Sequence, residues 1–381
     1  MPDVPNRIIS YQMVQPSLRH SETGKIIPGK FELVELPVPE LKSGEVLVEI
    51  AGCGVSYEDL YFFHEAAPAL QHPPLALGHE ISGKVIAGEA SWIGREVIIP
   101  AILPCRKCEA CLTGKTDRCH SPIMPGNSLG MHGGFSSHIA VPCNVLCFIK
   151  NRRRSFPLEH LAVVPTVASA YRAVQKTSLQ AGDNVIVIGV GGIGRYIVQM
   201  AKALGAGTVI AVDIVETRLR KMLQFGADVV IDVSGKEPEE AAAEVSRQID
   251  EKGSAQRGWK IIEAAGSATA RETAMHLLKL YVGKLVIVQS AIPETGYDLD
   301  GSMESNENII RSWGCPPEYY PEVLEMVISG KIVTGPFIQT RPMSWIGKVF
   351  EESYHTSSDK RTILTTEDFG IDGTPETMGC R

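Results

Sequence analysis

A chain of 381 residues with 44% hydrophobic and 21% charged side chains carries enough apolar material for two domains, each with its own core. Its net charge of −7 and the lack of a long basic run argue against a nucleic-acid partner. No apolar run approaches the length of about 18 residues that a membrane span needs, and no signal-peptide core opens the chain, so the expectation is a soluble cytoplasmic protein.

Residues 1 to 30 are polar and suggest no clear element. Phe31 to Glu35 alternates as a strand does, and Pro37, Pro39 and Gly44 break the stretch after it. Glu45 to Ala51 reads as a strand, and Gly52 to Leu60 as a turn opening a helix near Ser56. Gly78-His79-Glu80 turns into a strand over Ile81 to Ile86, and Val97 to Pro100 is another. Many short strands with Gly and Pro turns predict a compact β-barrel-like domain.

Four of the nine cysteines fall in the run Cys105-x2-Cys108-x2-Cys111-x7-Cys119. This density suits a tetrahedral four-thiolate zinc site, and the polar residues between the cysteines argue against their being buried core. Arg106, Lys107, Lys115 and Arg118 are placed to offset the thiolate charge. With every ligand a cysteine, no coordination position stays open to water, so the metal would be structural. The odd cysteine count gives no reason to expect a disulfide framework.

Gly133 to Val141 reads as a turn and a strand, and Pro157 to Gln175 as a helix linking the two domains. Strands and helices then alternate. Val185 to Ile188 is a buried strand, and Gly189, Gly191 and Gly194 fit G-x-G-x-x-G ahead of a helix carrying Ile193, Ile197, Val198, Ala201 and Leu204. Gly189 permits a tight turn, Gly191 lets backbone approach a pyrophosphate, and Gly194 lets helix and strand pack closely. Gly192 and Ile193 complete the turn. The strand Thr208 to Val212 ends at Asp213, about 20 residues past the last glycine, where a carboxylate accepts from ribose hydroxyls and repels a 2′-phosphate. NAD(H) is therefore favoured over NADP(H). Further strands at Val229 to Ile231, Lys260 to Glu263, Lys284 to Val288 and Asn308 to Trp313 alternate with helices at Thr217 to Phe225, Pro238 to Ile249 and Ala268 to Leu280, which predicts a doubly wound parallel sheet. Tyr319 to Ile328 reads as a helix, and the tail from Thr366 is polar.

A β-rich N-terminal domain, a four-cysteine lobe and a Rossmann domain together resemble the medium-chain dehydrogenase/reductase superfamily, over roughly residues 30 to 365. Within it, Leu36 to Gly54, Met124 to Ser128, Gly133 to Ile139, Leu158 to Val164 and Trp313 to Tyr320 are most similar to the 6-hydroxycyclohex-1-ene-1-carbonyl-CoA dehydrogenase family. The resemblance implies an α/β chain with a GroES-like catalytic domain (1–164 and 316–381, its zinc lobe at about 104–120) and a Rossmann NAD-binding domain (165–315). It also implies a homodimer or homotetramer acting on an alicyclic CoA thioester.

The resemblance breaks at the catalytic centre. Where zinc members carry their first cysteine ligand this chain has Ser56, followed by Tyr57 and Glu58 in place of histidine and the relay hydroxyl. The Gly-His-Glu ligand survives as His79-Glu80, and the third ligand position holds Pro165 or Thr166. Serine is a poor partner for zinc beside a thiolate, so the expectation is one structural zinc per chain and no catalytic zinc. His79, Glu80 and Glu58 form the alternative, an N/O metal site.

Without a Lewis acid the favoured reaction is hydride transfer to a C=C bond conjugated to a carbonyl, since the charge then lands on an enolate oxygen. Tyr57 is either a proton or hydrogen-bond donor there or an aromatic filling the space of the lost metal. Glu58 is a relay acid or, more plainly, a solvated helix residue. Asp59 reads as a cap or, like its family counterpart, as a residue behind the ligands, and His79 as a hydrogen-bonded core histidine or a base. Arg152 to Arg154 either meet CoA phosphates or form a solvated loop. Two other readings stay open: a zinc-type alcohol dehydrogenase, and a non-catalytic NAD-binding paralogue paired with an active subunit.

Overall fold

The computed structural model describes residues 4–19, 26–27, 29–64, 73–127, 132–150, 152, 156–251, 258–281, 283–288, 308–355 and 359–370. The chain divides into two compact units. One comprises Met1–Pro165, Pro316–Leu324 and Thr334–Arg381; the other comprises Thr166–Cys315 and Glu325–Val333. Among the described residues no helix is long and apolar enough to cross a membrane.

The first unit opens with a strand where the sequence suggested none. β1 (Arg7–Gln15) pairs antiparallel with β4 (Lys30–Pro37), and between them β2 (Leu18–Arg19) and β3 (Ile26–Ile27) form a short ribbon. The buried positions of β1 include Ser10 and Gln12 beside Ile8 and Met13. Polar residues on the inner face erase the apolar alternation by which a strand is read. Ser10 is satisfied there by a 2.8 Å hydrogen bond to Ser136.

β5 (Glu45–Gly54) is the centre of the main sheet of this unit. It is followed by α1 (Tyr57–His64), β6 (Glu80–Gly88), β7 (Glu96–Ile99), the short α2 (Glu109–Leu112) in the cysteine lobe, β8 (His138–Pro142) and β9 (Cys147–Phe148). β5 pairs antiparallel with β6 and with β8, and β6 continues through β7 to β9. Val46, Val48 and Ile50 of β5 are fully buried, as are Ile81 and Val85 of β6.

The chain then enters α3 (Val164–Lys176), preceded by a single 3-10 turn at Glu159–Val163, which together cover the predicted linking helix. In the second unit β10 (Val185–Ile188), α4 (Gly194–Ala203), β11 (Val209–Asp213), α5 (Glu216–Met222), β12 (Val229–Asp232), α6 (Pro238–Glu251), β13 (Lys260–Glu263), α7 (Ala268–Tyr281), β14 (Lys284–Val288) and β15 (Ile309–Ser312) follow in order. The six strands form one parallel sheet in the order β12-β11-β10-β13-β14-β15. Ile186, Ile210, Val212, Ile261 and Leu285 pack with Trp259, Leu277 and Tyr281 into its core, which accounts for the near-continuous apolar strands. The order reverses at β10, so the carboxyl ends of β10 and β13 open onto a topological switch point.

After α8 (Tyr320–Ile328) come β16 (Ile338–Pro342), α9 (Ile346–His355) and β17 (Arg361–Thr365), none of which the sequence reading marked. β17 pairs antiparallel with β5, Leu364 opposite Cys53 and Ile363 opposite Gly54. The end of the chain thereby joins the central sheet of the first unit.

Candidate functional site

The four cysteines come together. Among the described residues, Cys105, Cys108, Cys111 and Cys119 are the one group of three or more such side chains whose ligand atoms all lie within 4.8 Å of one another. A zinc ion holding four sulfurs at about 2.3 Å sets them about 3.8 Å apart, so the cluster fits that ion. The Cys105 amide donates to Cys119 Sγ at 3.2 Å, and the amides of His120 and Cys111 pull the Cys108 thiol down to about 6. The tight knuckle between Cys105 and Cys108 puts Arg106 at φ 59°. Arg106 does not turn toward the thiolates as expected: its guanidinium pairs with Glu318, whose other oxygen accepts from Thr116 Oγ1 at 2.9 Å. That one carboxylate ties the lobe to the segment before α8.

Ser56, Glu58, Asp59 and His79 cluster at the start of α1 and the turn before β6, while Tyr57 points away from them. Ser56 and Asp59 form a capping box: the Ser56 amide donates to Asp59 Oδ2 at 2.8 Å, and the Asp59 amide to Ser56 Oγ at 3.1 Å. The Ser56 hydroxyl itself donates to Asp59 Oδ2 at 2.7 Å, so it is a buried cap. Asp59 Oδ1 accepts from the Gly78 amide at 3.0 Å and lies 3.7 Å from His79 Nδ1. Asp59 thus holds both the helix start and the histidine turn.

Glu58 is not the solvated helix residue that its position suggested. Its side chain is only 12% exposed, with Oε2 4.0 Å from His79 Nε2. Its Oε1 is buried without a hydrogen-bond partner among the described residues. Burial raises its pKa to about 7, opposed by His79 and reinforced by Asp59 and Glu80. The same surroundings push the buried Cys53 thiol well up, burial first and then Asp59 and Glu80. Tyr57 is 68% exposed, with its ring tilted toward Tyr61 at 6.2 Å, so it does not fill a buried gap.

Among the described residues Glu80, His79 and Glu58 do not form a three-ligand cluster, and Glu80 is turned to Arg361. Arg361 Nη1 lies 3.0 Å and 3.1 Å from its two oxygens and also donates to Val55 O at 3.2 Å. Sequence reading missed Arg361 because the pairing of β17 with β5 is what brings it there. With Ser56 engaged as a cap and Pro165 or Thr166 at the third position, this donor set does not fit a cysteine-held catalytic zinc. Arg152 corrects a further expectation. It forks onto Glu96, Nε to Oε2 at 2.7 Å, and donates to Phe156 O at 2.7 Å, so its guanidinium is engaged within the chain. Arg153 and Arg154 lie outside the described residues.

In the second unit the glycine turn has the shape its spacing predicts. Gly189 has φ +84°, and a Cβ at Gly194 would stand 1.8 Å from Gly189 O. A Cβ at Gly191 would meet only Arg218 Nη1, at 3.6 Å, so there is room for a pyrophosphate against the backbone. Arg195 Nε holds Gly191 O at 2.6 Å, and Ile193 caps α4. Asp213 accepts from Val190 N at 2.7 Å through Oδ2, and from Ile214 N and Val215 N at 2.8 and 2.9 Å through Oδ1. It therefore latches the glycine turn to the end of β11 and retains a lone pair for a ribose hydroxyl.

The alcohol dehydrogenase GroES-like domain family matches residues 42–151, and the zinc-binding dehydrogenase family matches residues 192–329. The chain belongs to the zinc-type alcohol dehydrogenase superfamily of medium-chain dehydrogenase/reductases. An alcohol dehydrogenase of Geobacillus stearothermophilus is 27% identical over 338 residues, 87% of this chain and 95% of that one. Two Escherichia coli structures share the fold. One is a galactitol-1-phosphate dehydrogenase with TM-score 0.76 at 22% identity, covering 94% of this chain and 100% of that one. The other, an alcohol dehydrogenase complexed with NADH, has TM-score 0.76 at 21% identity and covers 95% and 100%. As a superfamily member the chain is an NAD-dependent oxidoreductase, and the four-cysteine cluster could hold a structural zinc.

Proposed function

We propose that this dehydrogenase moves hydride between NAD(H) and a carbonyl-conjugated substrate, with Glu58 carrying the proton in place of a cysteine-held catalytic zinc. The observation that carries the reading is the buried Glu58 carboxyl, with a pKa raised to about 7 and Oε2 4.0 Å from His79 Nε2. A general acid works best when its pKa lies near the working pH, and burial has moved Glu58 there.

NAD(H) supplies or takes the hydride when bound. In the reducing direction hydride arrives at the β-carbon of the conjugated system, and charge develops on the carbonyl oxygen. Protonated Glu58 gives its proton to the resulting enolate. The carboxylate left behind is favoured by the His79 imidazole, which Asp59 orients from the other side. Tyr57, next to Glu58 in sequence and exposed, is the hydroxyl assigned to the enolate oxygen in this reading. Substrate oxidation runs these steps in reverse.

An alicyclic acyl-CoA is the substrate class supported by the sequence likeness of Leu36 to Gly54 and Trp313 to Tyr320. Arg152 adds no support, since Glu96 holds it. The relatives favour a second reading, oxidation of an alcohol or polyol, because alcohol and sorbitol dehydrogenases stand among them. In that case the same carboxyl would take the hydroxyl proton.

Steady-state NADH oxidation with cyclic enoyl-CoA esters, set beside NAD reduction with secondary alcohols and polyols, separates the two. Glu58→Gln is expected to lower kcat by roughly a hundredfold or more, and Tyr57→Phe by a comparable factor, with wild-type kcat unchanged by a chelator treatment that leaves the lobe zinc in place. Alcohol oxidation that Glu58→Gln leaves intact, and that a chelator abolishes while one zinc per chain remains and the melting temperature is unchanged, would overturn the proton role and reinstate a metal.

A further inference from the structure

Glu263 and Arg271 form a buried ion pair that the reaction chemistry does not use. Glu263 ends β13 and is 0% exposed, and Arg271, in the first turns of α7, is 3% exposed. Charges so enclosed are costly unless paired and hydrogen-bonded. Nothing in the parallel sheet itself requires them, since strand and helix here could meet through apolar side chains as the rest of the core does.

Their geometry shows what they hold. Glu263 Oε1 accepts from the amides of Ala265 and Gly266, both at 2.7 Å. Its Oε2 accepts no hydrogen bond among the described residues and faces Arg271 Nε at 3.6 Å. Arg271 Nη2 donates to Gly266 O at 3.3 Å. The loop from Ala264 to Gly266 is therefore clamped on both sides, its amides on the carboxylate and a carbonyl on the guanidinium. The amide of Ala264 is fixed as well, on Ile188 O at 2.8 Å.

That loop lies against the glycine turn without slack. A Cβ at Gly189 would stand 2.6 Å from Ala265 N and 2.7 Å from Ala265 Cα, and a Cβ at Gly194 would stand 3.6 Å from Ala264 Cβ. Any shift of Ala265 toward Gly189 must move the turn, because packed interiors pass displacement on rather than absorb it.

We propose that Glu263 and Arg271 are positioning residues for the dinucleotide: their pair fixes the Ala264–Gly266 loop, and the loop sets the shape of the turn at Gly189 on which the cofactor pyrophosphate rests. The proposal rests on the NAD(H) assignment of that turn. Neither residue touches the cofactor through a hydrogen bond in this scheme; each acts through Ala265.

The test is NADH titration, followed by nucleotide fluorescence, on the full-length zinc-loaded protein and on Glu263→Gln, Arg271→Lys and the double variant E263Q/R271M, with thermal unfolding measured alongside. Glu263→Gln keeps an acceptor for the two amides but removes the charge facing Arg271. It is expected to weaken NADH binding about tenfold while kcat at saturating NADH stays within twofold. The double variant removes both charges, so it escapes the penalty of one unpaired buried charge and regains thermal stability. A positioning role predicts that its NADH affinity stays low despite that recovery. A purely structural pair predicts that affinity returns with stability, and that result would overturn the proposal, as would wild-type affinity in Glu263→Gln. If Glu263→Gln fails to fold, the double variant decides. Wild-type protein that does not bind NADH would overturn the cofactor assignment and the proposal together, a result distinct from variants that match a wild type that does bind.

Discussion

Glu58 Oε2 stands 4.0 Å from His79 Nε2, while Glu80, the next residue along, is held by Arg361 from the far end of the chain. Two neighbouring acidic side chains in one buried cluster thus have opposite fates. Glu80 is paired with a permanent cation. Glu58 faces only a titratable imidazole, and burial is left to dominate its pKa.

Stability should carry the signature of that carboxyl. Burial raises Glu58 from 4.5 to about 7, so between those values the folded protein keeps a proton that the unfolded chain has released. The stabilisation from this group is fully present below pH 4.5, falls as the pH rises toward 7, and levels off above it. Urea unfolding at pH 5 and pH 8 should show a loss of up to roughly 3 kcal/mol in the wild type, and Glu58→Gln should remove it. A parallel pH dependence in wild type and variant would show that Glu58 titrates as an ordinary exposed acid.

The glycine turn offers a paired comparison. A Cβ at Gly191 meets nothing closer than Arg218 Nη1 at 3.6 Å, whereas one at Gly194 lands 1.8 Å from a backbone oxygen. Gly191→Ala should unfold at the wild-type temperature yet bind NADH at least tenfold more weakly, since its methyl occupies the path of the pyrophosphate. Gly194→Ala should be destabilised by about 2 kcal/mol or more through overpacking. Equal losses of melting temperature in the two variants would contradict this assignment of roles.

The cysteine lobe should hold one zinc per chain, measured by elemental analysis after dialysis. Cys105→Ser is expected to lose that metal and to lower the melting temperature, because metal binding at such a site is folding free energy. Glu318→Ala should lower the melting temperature while the zinc count stays at one, since Glu318 ties down Arg106 and Thr116 without touching a sulfur. Two tightly held zincs per chain would place a second metal at His79.

What could be read along the chain was whatever repeats at a fixed spacing within one supersecondary unit. The four cysteines, the glycine turn with Asp213, the Ser56–Asp59 cap and the strand-helix alternation of the parallel sheet are short-range patterns, and backbone geometry converts their spacing directly into position. The first strand escaped notice because Ser10 and Gln12 occupy its buried face. Only the tertiary structure decided the state of the charged residues. Arg152 went to Glu96, Arg106 to Glu318 and Arg361 to Glu80, and Glu58 was drawn inside. The reason is physical: protonation and pairing depend on how much water is removed and which charge arrives in its place, and both are set by segments that meet only when distant strands such as β5 and β17 pair.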